Sequence, residues 1–204
     1  MKLFEYEGKE RFKTYGIPVL ESVVIDHSIA RSPLSFPVIL KAQVRATDRK
    51  AAGGVLIAKN DDEFVFSLKE LLGKTIHGEI AENVLVERCI DVAAEYYVSF
   101  SYDSRQRGPV LSLSPHGGSG ICEARVYVID VLSSLERAEV SRNVRDAGFS
   151  DADVVPVSDI VLKLWELFNE EKAIMAEINP IIKNNASVEC VSHSRIVCIV
   201  LVRE

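Results

Sequence analysis

An alternating stretch followed by a tight turn constrains the fold of this chain more than any other part of the sequence. Residues 95–103 read EYYVSFSYD, which puts Tyr97 and Ser99 on one face of an extended strand and Val98 and Phe100 on the other. The turn SRQRGP then returns the chain into the strand-like run VLSLS. The sequence therefore predicts a β-hairpin.

Helix-like and strand-like segments alternate along the rest of the chain. A capping box of Asn60 and Glu63 predicts a helix that ends at Gly73. We also expect helices at residues 3–15, from Ser133 with Glu136 to about Gly148, and from Pro156 onward, and strands at residues 38–44, 55–59, 84–90, 173–183, 187–191 and 195–203. This mixture of hairpins and helices indicates an α+β fold.

Composition and charge exclude several classes of protein. The net charge of −6 argues against a nucleic-acid partner, which needs a basic face. The longest apolar run, IVCIVLV, is shorter than the ~20 residues that span a bilayer, and the first residues lack an apolar signal core. Four cysteines without CxxC spacing favour reduced thiols over a metal or redox site (Cys89, Cys122, Cys190 and Cys198). We expect a cytoplasmic protein without a membrane partner.

Cations gather around one predicted hairpin. Lys41 lies inside the apolar run VILKAQV, and three more cations follow it within ten residues: Arg45, Arg49 and Lys50. A lysine in such a strand is either a phosphate ligand or a side chain that reaches solvent at a sheet edge, and local sequence favours neither. Gly53 and Gly54 allow close backbone approach. The loop itself is either a polyphosphate site or a solvated hairpin tip, and composition alone favours the tip.

A carboxylate and an amide share one face of a later strand. Glu177 and Asn179 are two residues apart in MAEINPII, so their side chains point the same way. Carboxylate and amide oxygens suit Mg²⁺, although a polar pair at a strand end is the simpler interpretation. His116, in SPHGG, could handle a proton or a phosphate, but a surface turn histidine is favoured.

Several stretches together resemble one known family. LFEYEGKERFKTYGIPV, ILKAQVRA with KAAGGV, YDSRQRGPVLSLSPHGG and AEINP, taken in order, are similar to the ATP-grasp portion of the succinyl-CoA synthetase β subunit. ATP-citrate lyase and the ADP-forming acyl-CoA synthetases belong to the same family. The resemblance runs from Leu3 to about Val191. It implies an ATP-grasp fold of two α/β lobes with a nucleotide cleft between them, residues 21–94 forming one lobe and 1–20 plus 95–204 the other.

The resemblance also implies roles for individual residues. Lys41 corresponds to a phosphate-binding lysine, Glu87 to an acid near the adenosine, and Glu95 to a further nucleotide contact. The implied ATP-binding set is Lys41, Asp48, Arg49, Lys50, Gly53, Gly54, Glu87 and Glu95. The implied Mg²⁺ ligands are Asn179, its neighbour Glu177, and Ser192.

The sequence departs from the family pattern at the loop and at the metal. TDRKAAGG stands where the family typically reads GGRGKAGG, so Asp48 brings a carboxylate toward phosphates. Ser192, followed by His193, stands where an aspartate normally binds Mg²⁺, and serine is the poorer ligand. SPHGG replaces SPEGG, and Cys122 replaces an acid.

Two functional hypotheses follow from the resemblance. In the first, the chain binds ATP or GTP with Mg²⁺ and exchanges phosphoryl with a histidine on a CoA-binding, α-type partner subunit. In the second, it is a degenerate, non-catalytic paralogue that acts as a nucleotide-binding or regulatory subunit. We expect the first function and keep the second as the alternative. The altered loop, Ser192 and the expected absence of the CoA-ligase domain of the full β subunit are the features that favour the alternative.

Overall fold

A computed structural model describes most of the chain. The described ranges are residues 2–46, 49–118, 123–130, 134–184 and 188–195, with only the backbone described in the last range.

The chain divides by its internal contacts into two compact units. The smaller unit consists of Phe4–Glu7 and Leu20–Asp91, and the larger unit contains Gly8–Val19 and the residues from Val92 onward. The lobe boundaries implied by the family resemblance, and the nucleotide-binding role of residues 21–94, stay predictions.

The described residues form helices and strands in a mixed order. The helices are α1 (Glu5–Thr14), α2 (Asp61–Leu71), α3 (Arg137–Asp146) and α4 (Asp151–Glu170). The strands are β1 (Ser22–Ile25), β2 (Val38–Ala42), β3 (Val55–Ala58), β4 (Thr75–Ile76), β5 (Glu79–Ile80), β6 (Val84–Arg88), β7 (Ala94–Asp103), β8 (Gly108–Ser114), β9 (Arg125–Val128), β10 (Met175–Lys183) and β11 (Val188–Arg195).

The smaller unit is an antiparallel sheet covered by one helix. Its four strands lie in the order β1–β6–β2–β3, so that β2 is an interior strand. All five residues of β2 are buried. Phe64, Leu68 and Leu71 of α2 pack in one core with Val38 and Leu40 of β2. The predicted hairpin of β2 and β3 is confirmed.

The predicted capping box begins helix α2. The Asn60 side chain accepts a hydrogen bond from the backbone N–H of Glu63 at 2.9 Å. The Glu63 carboxylate in turn accepts from the backbone N–H of Lys59 at 2.9 Å and from the Asn60 amide at 3.0 Å. Gly73 follows the helix with a φ of +78°, a conformation that favours glycine.

The larger unit is built on a five-stranded antiparallel sheet. Its strands lie in the order β11–β10–β7–β8–β9. The predicted hairpin is present as β7 and β8, with Tyr97 opposite Ser114 and Asp103 opposite Gly108. Val98 and Phe100 belong to the buried core, which also takes in the apolar residues of α3 and α4.

The starts of the last two helices differ from the prediction. Helix α4 begins five residues before Pro156, with Ser150 at its N-cap position and Asp153 buried in its first turn. Asp153 accepts a hydrogen bond from the Tyr96 hydroxyl at 2.8 Å and pairs with Lys183 at 2.8 Å. Helix α3 begins after Glu136, which makes no side-chain cap bond.

Two further predictions reach beyond the described residues. Ser133, the predicted first member of the α3 capping box, lies outside them, as does most of the strand expected at residues 195–203. Among the helices that the structure describes, none is long and apolar enough to cross a membrane.

The α2 cap can be tested by Asn60→Ala. Because the substitution removes the acceptor of the Glu63 N–H, we expect the free energy of unfolding to fall by about 1 kcal/mol. Chemical denaturation measures the loss, and amide exchange of residues 61–71 locates it. Glu70→Ala, at an exposed position of the same helix, is the control and should change stability by less than about 0.5 kcal/mol. Equal effects from the two variants would contradict the capping role.

Candidate functional site

Lys41 lies at the centre of the smaller unit's sheet. It is the fourth residue of β2, opposite Val55 of β3 and Leu85 of β6. Its side chain is 0% exposed. The interpretation of Lys41 as a side chain reaching solvent at a sheet edge is therefore wrong, because β2 has a neighbour on each side and the ammonium is enclosed.

The Lys41 ammonium belongs to a group of four buried charged side chains. Its Nζ lies 2.8 Å from Glu5 Oε1 and 2.5 Å from Glu87 Oε2. The other oxygen of Glu5 lies 2.6 Å from Arg49 Nη2, and Arg49 Nη1 donates to the Ala42 carbonyl at 3.1 Å. We call Glu5, Lys41, Arg49 and Glu87 the buried charge cluster. Two positive and two negative groups make it neutral overall.

Burial governs the electrostatics of this cluster. Removal from water lowers the pKa of Lys41, and the Glu5 carboxylate works against that shift. Buried ion pairs gain little net stability, since desolvation offsets the attraction, but the loss of one partner leaves an uncompensated charge. The four side chains are therefore interdependent.

The loop between β2 and β3 folds back on Arg49. The N–H of Gly54 donates to the Arg49 carbonyl at 2.7 Å, and the N–H of Gly53 donates to the Lys50 carbonyl at 3.1 Å. Gly53 has a φ of +69°, and a Cβ at Gly54 would lie 3.0 Å from the Arg49 carbonyl oxygen. The positive φ at Gly53 and the close carbonyl at Gly54 therefore favour glycine at both positions. Asp48 lies outside the described residues.

The four cations of this region divide into two pairs. Lys41 and Arg49 are buried beside carboxylates. Arg45 and Lys50 are exposed, and the Arg45 guanidinium lies 4.3 Å from the centroid of the Phe4 ring. The positive field expected from the sequence is thus reduced by Glu5 and Glu87.

In the larger unit, Asn179 and Glu95 meet at Gly118. The Gly118 N–H donates to Asn179 Oδ1 at 2.7 Å, and Asn179 Nδ2 donates to the Gly118 carbonyl at 3.3 Å. Gly118 has a φ of +85°, a conformation that favours glycine, and a Cβ there would lie 2.3 Å from Glu95 Oε2. The neighbouring Gly117 N–H donates to the Glu95 carbonyl at 2.7 Å. Two residues predicted from the resemblance, Glu95 and Asn179, are therefore brought together.

Glu177 is held by a tyrosine from the adjacent strand. The Tyr97 hydroxyl lies 3.1 Å from Glu177 Oε2 and 2.9 Å from Ser99 Oγ. Burial and the Glu177 carboxylate raise the pKa of Tyr97 to about 12, so the hydroxyl remains a donor at neutral pH. The Glu177 side chain is only slightly exposed.

The chemistry of these groups fits a hard divalent cation. Glu177 and Asn179 supply carboxylate and amide oxygens two residues apart on β10, and the amide oxygen retains acceptor capacity beyond the Gly118 bond. Ser192 lies in β11, which pairs with β10, but its side chain is outside the described part of the chain. Among the described residues, no three His, Cys, Asp or Glu side chains gather as a metal site.

Sequence reasoning missed two residues of these arrangements. Glu5 received no role, although a lysine in an apolar strand requires a carboxylate partner and the first helix offers acids. The alternation puts Tyr97 on one face of its strand with Ser99 but does not connect it with Glu177, since pairing of β7 with β10 is a long-range contact.

Two minor sequence expectations agree with the structure. His116 is exposed in a turn where Ser114 Oγ donates to its carbonyl at 3.0 Å and accepts from its N–H at 3.1 Å. This arrangement matches the surface-turn interpretation. Cys89 is a half-buried free thiol, and the side chains of the other three cysteines are outside the described part of the chain.

Comparison with known proteins identifies the family. The model of the ATP-grasp domain family matches residues 2–183, so the chain belongs to the ATP-grasp family. It is also 36% identical over 192 residues to the β subunit of succinate–CoA ligase [ADP-forming] from Methanocaldococcus jannaschii. The match covers 89% of this chain and 53% of that subunit, so the chain spans about half the length of this relative.

Solved structures share the fold at low sequence identity. The dinucleotide forming acetyl-coenzyme A synthetase 1 of Ca. Korarchaeum cryptofilum, in complex with coenzyme A, Ca-AMPCP and HgCl+, matches with a TM-score of 0.76 and 20% identity, over 94% of this chain and 91% of that one. ATP citrate lyase from Methanothrix soehngenii matches with a TM-score of 0.69 and 18% identity, over 93% of this chain and 49% of that one. The ATP-grasp, α+β fold expected from the sequence is confirmed.

The interdependence of the buried charges can be tested by Lys41→Met. The variant leaves two buried carboxylates with one cation, so we expect its free energy of unfolding to be lower than that of wild type by about 3–5 kcal/mol. The double variant Lys41→Met with Glu87→Leu removes the surplus charge and should regain most of this loss. Denaturant titration of both variants, with Lys69→Met as an exposed-lysine control, measures the difference.

The same variant has an expected pH dependence. In Lys41→Met the surplus carboxylate binds a proton more tightly in the folded state than in the unfolded state, so stability is lost as the pH rises. The difference in the free energy of unfolding between wild type and Lys41→Met should therefore be smaller at about pH 5 than at about pH 8. If the loss of stability in Lys41→Met does not change with pH, the surplus carboxylate is not the cause of that loss.

Proposed function

We propose that this chain is the ATP-grasp component of an acyl-CoA ligase (ADP-forming) of the succinyl-CoA synthetase type. In this proposal it binds Mg·ATP, or GTP in its place, and exchanges the γ-phosphoryl group with a histidine on a partner subunit. The observation that carries the proposal is the 36% identity to a succinate–CoA ligase β subunit within a family match that spans residues 2–183.

The smaller unit would supply the cationic contacts to the phosphates. Lys41, Arg49 and Lys50 are the cations, and the backbone at Gly53 and Gly54 allows a close approach. Charge neutralisation and positioning are the main contributions that a protein makes to phosphoryl transfer, which supports roles for these groups without a nucleophile of the chain's own. Asp48 remains part of the proposed loop.

Two carboxylates would contact the remainder of the nucleotide. The resemblance assigns Glu87 to the vicinity of the adenosine and Glu95 to a second contact. Glu87 is bonded to Lys41, so it would also orient that ammonium. Glu95 lies against Gly118, whose N–H fixes the Asn179 amide.

The larger unit would hold the metal ion. Glu177, Asn179 and Ser192 are the proposed ligands, and Mg²⁺ bound there supplies positive charge to the phosphate oxygens. Tyr97 orients the Glu177 carboxylate and Gly118 orients the Asn179 amide. A fold neighbour, acetyl-coenzyme A synthetase 1 of Ca. Korarchaeum cryptofilum, was solved with coenzyme A and Mg-AMPPCP, which supports this part of the proposal (TM-score 0.71, 20% identity).

The partner would carry both the histidine and the CoA site. That same neighbour's structure has a phosphohistidine segment pointing towards its nucleotide binding site. We propose an equivalent α-type subunit for this chain, in the cytoplasm, with a carboxylic acid and CoA as the co-substrates.

A second function is favoured by two observations. Glu5 and Glu87 neutralise the two buried cations, and the loop TDRKAAGG has few of the expected glycines. A degenerate, non-catalytic ATP-grasp subunit that binds nucleotide weakly and regulates or supports a partner would have these properties.

Calorimetric titration with Mg·ATP tests the proposed binding. We expect wild type and Lys69→Met to bind, and the double variant Lys41→Met with Glu87→Leu to lose binding by at least about tenfold, because it has lost a phosphate-binding ammonium together with the proposed adenosine contact of Glu87. The double variant is preferred to Lys41→Ala since its charges are balanced, and circular dichroism verifies its fold. If folded wild-type protein gives no heat of binding at millimolar ATP, the proposal is overturned.

Transfer of label distinguishes the two functions. Protein incubated with γ-labelled ATP and a purified α-type subunit should label that subunit's histidine if the chain is catalytic. ATP binding without any label transfer would favour the regulatory subunit.

The metal ligands can be tested by Glu177→Gln. Mg²⁺ should tighten ATP binding by wild type, and we expect this gain to shrink by at least about tenfold in the variant, which has lost the anionic ligand. Titrations with Mg²⁺ and with EDTA measure the gain. Glu166→Gln, an exposed position on α4, is the control with the same charge change. An unchanged Mg²⁺ effect in Glu177→Gln would exclude the carboxylate from the site.

A further inference from the structure

The Glu5 carboxylate bridges two cations in the way a phosphate group would. One oxygen lies 2.8 Å from Lys41 Nζ and the other lies 2.6 Å from Arg49 Nη2. The Glu5 and Lys41 side chains are both 0% exposed. An anion that uses Lys41 and Arg49 as ligands therefore meets a carboxylate already placed between them.

We propose that Glu5 is an internal counter-ion that competes with the nucleotide's phosphates and so sets the affinity of the site. This inference rests on the proposed function, in which Lys41 and Arg49 bind phosphate. Binding of Mg·ATP then breaks the two Glu5 ion pairs and replaces them with pairs to phosphate oxygens.

The charge balance of the buried charge cluster supports competition. The two cations and two carboxylates joined by these ion pairs cancel in net charge, which weakens the attraction of Lys41 and Arg49 for a polyphosphate. A phosphate brought beside Glu5 would be repelled by it, and repulsion at such distances is strong where water is excluded. Withdrawal of one carboxylate leaves a net positive charge on the same two cations.

Glu5, rather than Glu87, is the carboxylate that can withdraw. Glu87 lies in β6, whose backbone pairs with β1 on one side and β2 on the other. Glu5 is the first residue of helix α1, and its segment Phe4–Glu7 lies outside the sheet. The Tyr6 N–H donates to Gln43 Oε1 at a long 3.3 Å, and the Phe4 ring packs on the Arg45 guanidinium. Displacement of this segment breaks no strand pairing.

Calorimetry with Mg·ATP and with adenosine tests the competition. We expect Glu5→Gln to bind Mg·ATP about tenfold more tightly than wild type, since it removes the competing charge and keeps the shape. Adenosine, which has no phosphate, should bind both proteins equally. Glu10→Gln is the matched control, because Glu10 is an exposed acid of the same helix paired with Lys13.

Hydrogen exchange of the wild-type protein is a second test that does not depend on a variant. If ATP displaces Glu5, the amides of residues 4–7 should exchange faster when Mg·ATP is bound, whereas a purely structural Glu5 would leave them unchanged or slower.

The outcomes separate the inference from the proposed function. Tighter Mg·ATP binding by Glu5→Gln together with faster exchange at residues 4–7 supports competition. Measurable binding by wild type with equal or weaker binding by Glu5→Gln and no faster exchange overturns the inference and leaves the proposed function standing. If Glu5→Gln does not fold, the wild-type exchange decides. No binding of Mg·ATP by any of the proteins overturns both.

Discussion

A lysine ammonium enclosed in an antiparallel sheet is the constraint on which the smaller unit depends. An isolated charge at that depth is too costly to bury, so Lys41 requires carboxylates within direct contact. Glu87 comes from the next strand and Glu5 from the first helix, and Glu5 in turn draws in Arg49. One buried cation thereby connects a strand, a helix and the loop that approaches a nucleotide in the proposed function.

In the larger unit, hydrogen bonds with uncharged groups orient two polar side chains of β10. Asn179 bonds to both the N–H and the carbonyl of Gly118, and Tyr97 bonds to Glu177. These contacts hold two oxygen-bearing side chains of β10 in fixed orientations. The two units thus contain different kinds of preorganisation: ion pairs around cations in one, and hydrogen bonds around oxygens in the other.

Local patterns predicted more of the fold than of the site. Alternation identified the hairpin of β7 and β8, and the Asn60–Glu63 box identified the start of α2, because both depend on neighbours in sequence. The start of α4 differs from the prediction because Pro156 lies inside the helix, whose first turn places Asp153 against Tyr96 and Lys183, residues distant in the chain. The partners of Lys41 were missed for the same reason.

The reciprocal bonds of Asn179 have a consequence for charge. An aspartate at this position could accept from the Gly118 N–H but would direct a second oxygen at the Gly118 carbonyl, so the geometry selects the amide. Of the two β10 side chains whose oxygens could bind a metal ion, only Glu177 then carries a formal charge. A divalent ion would be under-neutralised by this pair alone, and the phosphates of a nucleotide would have to complete its shell. In the proposed function, the ion would therefore arrive and leave as part of its nucleotide complex.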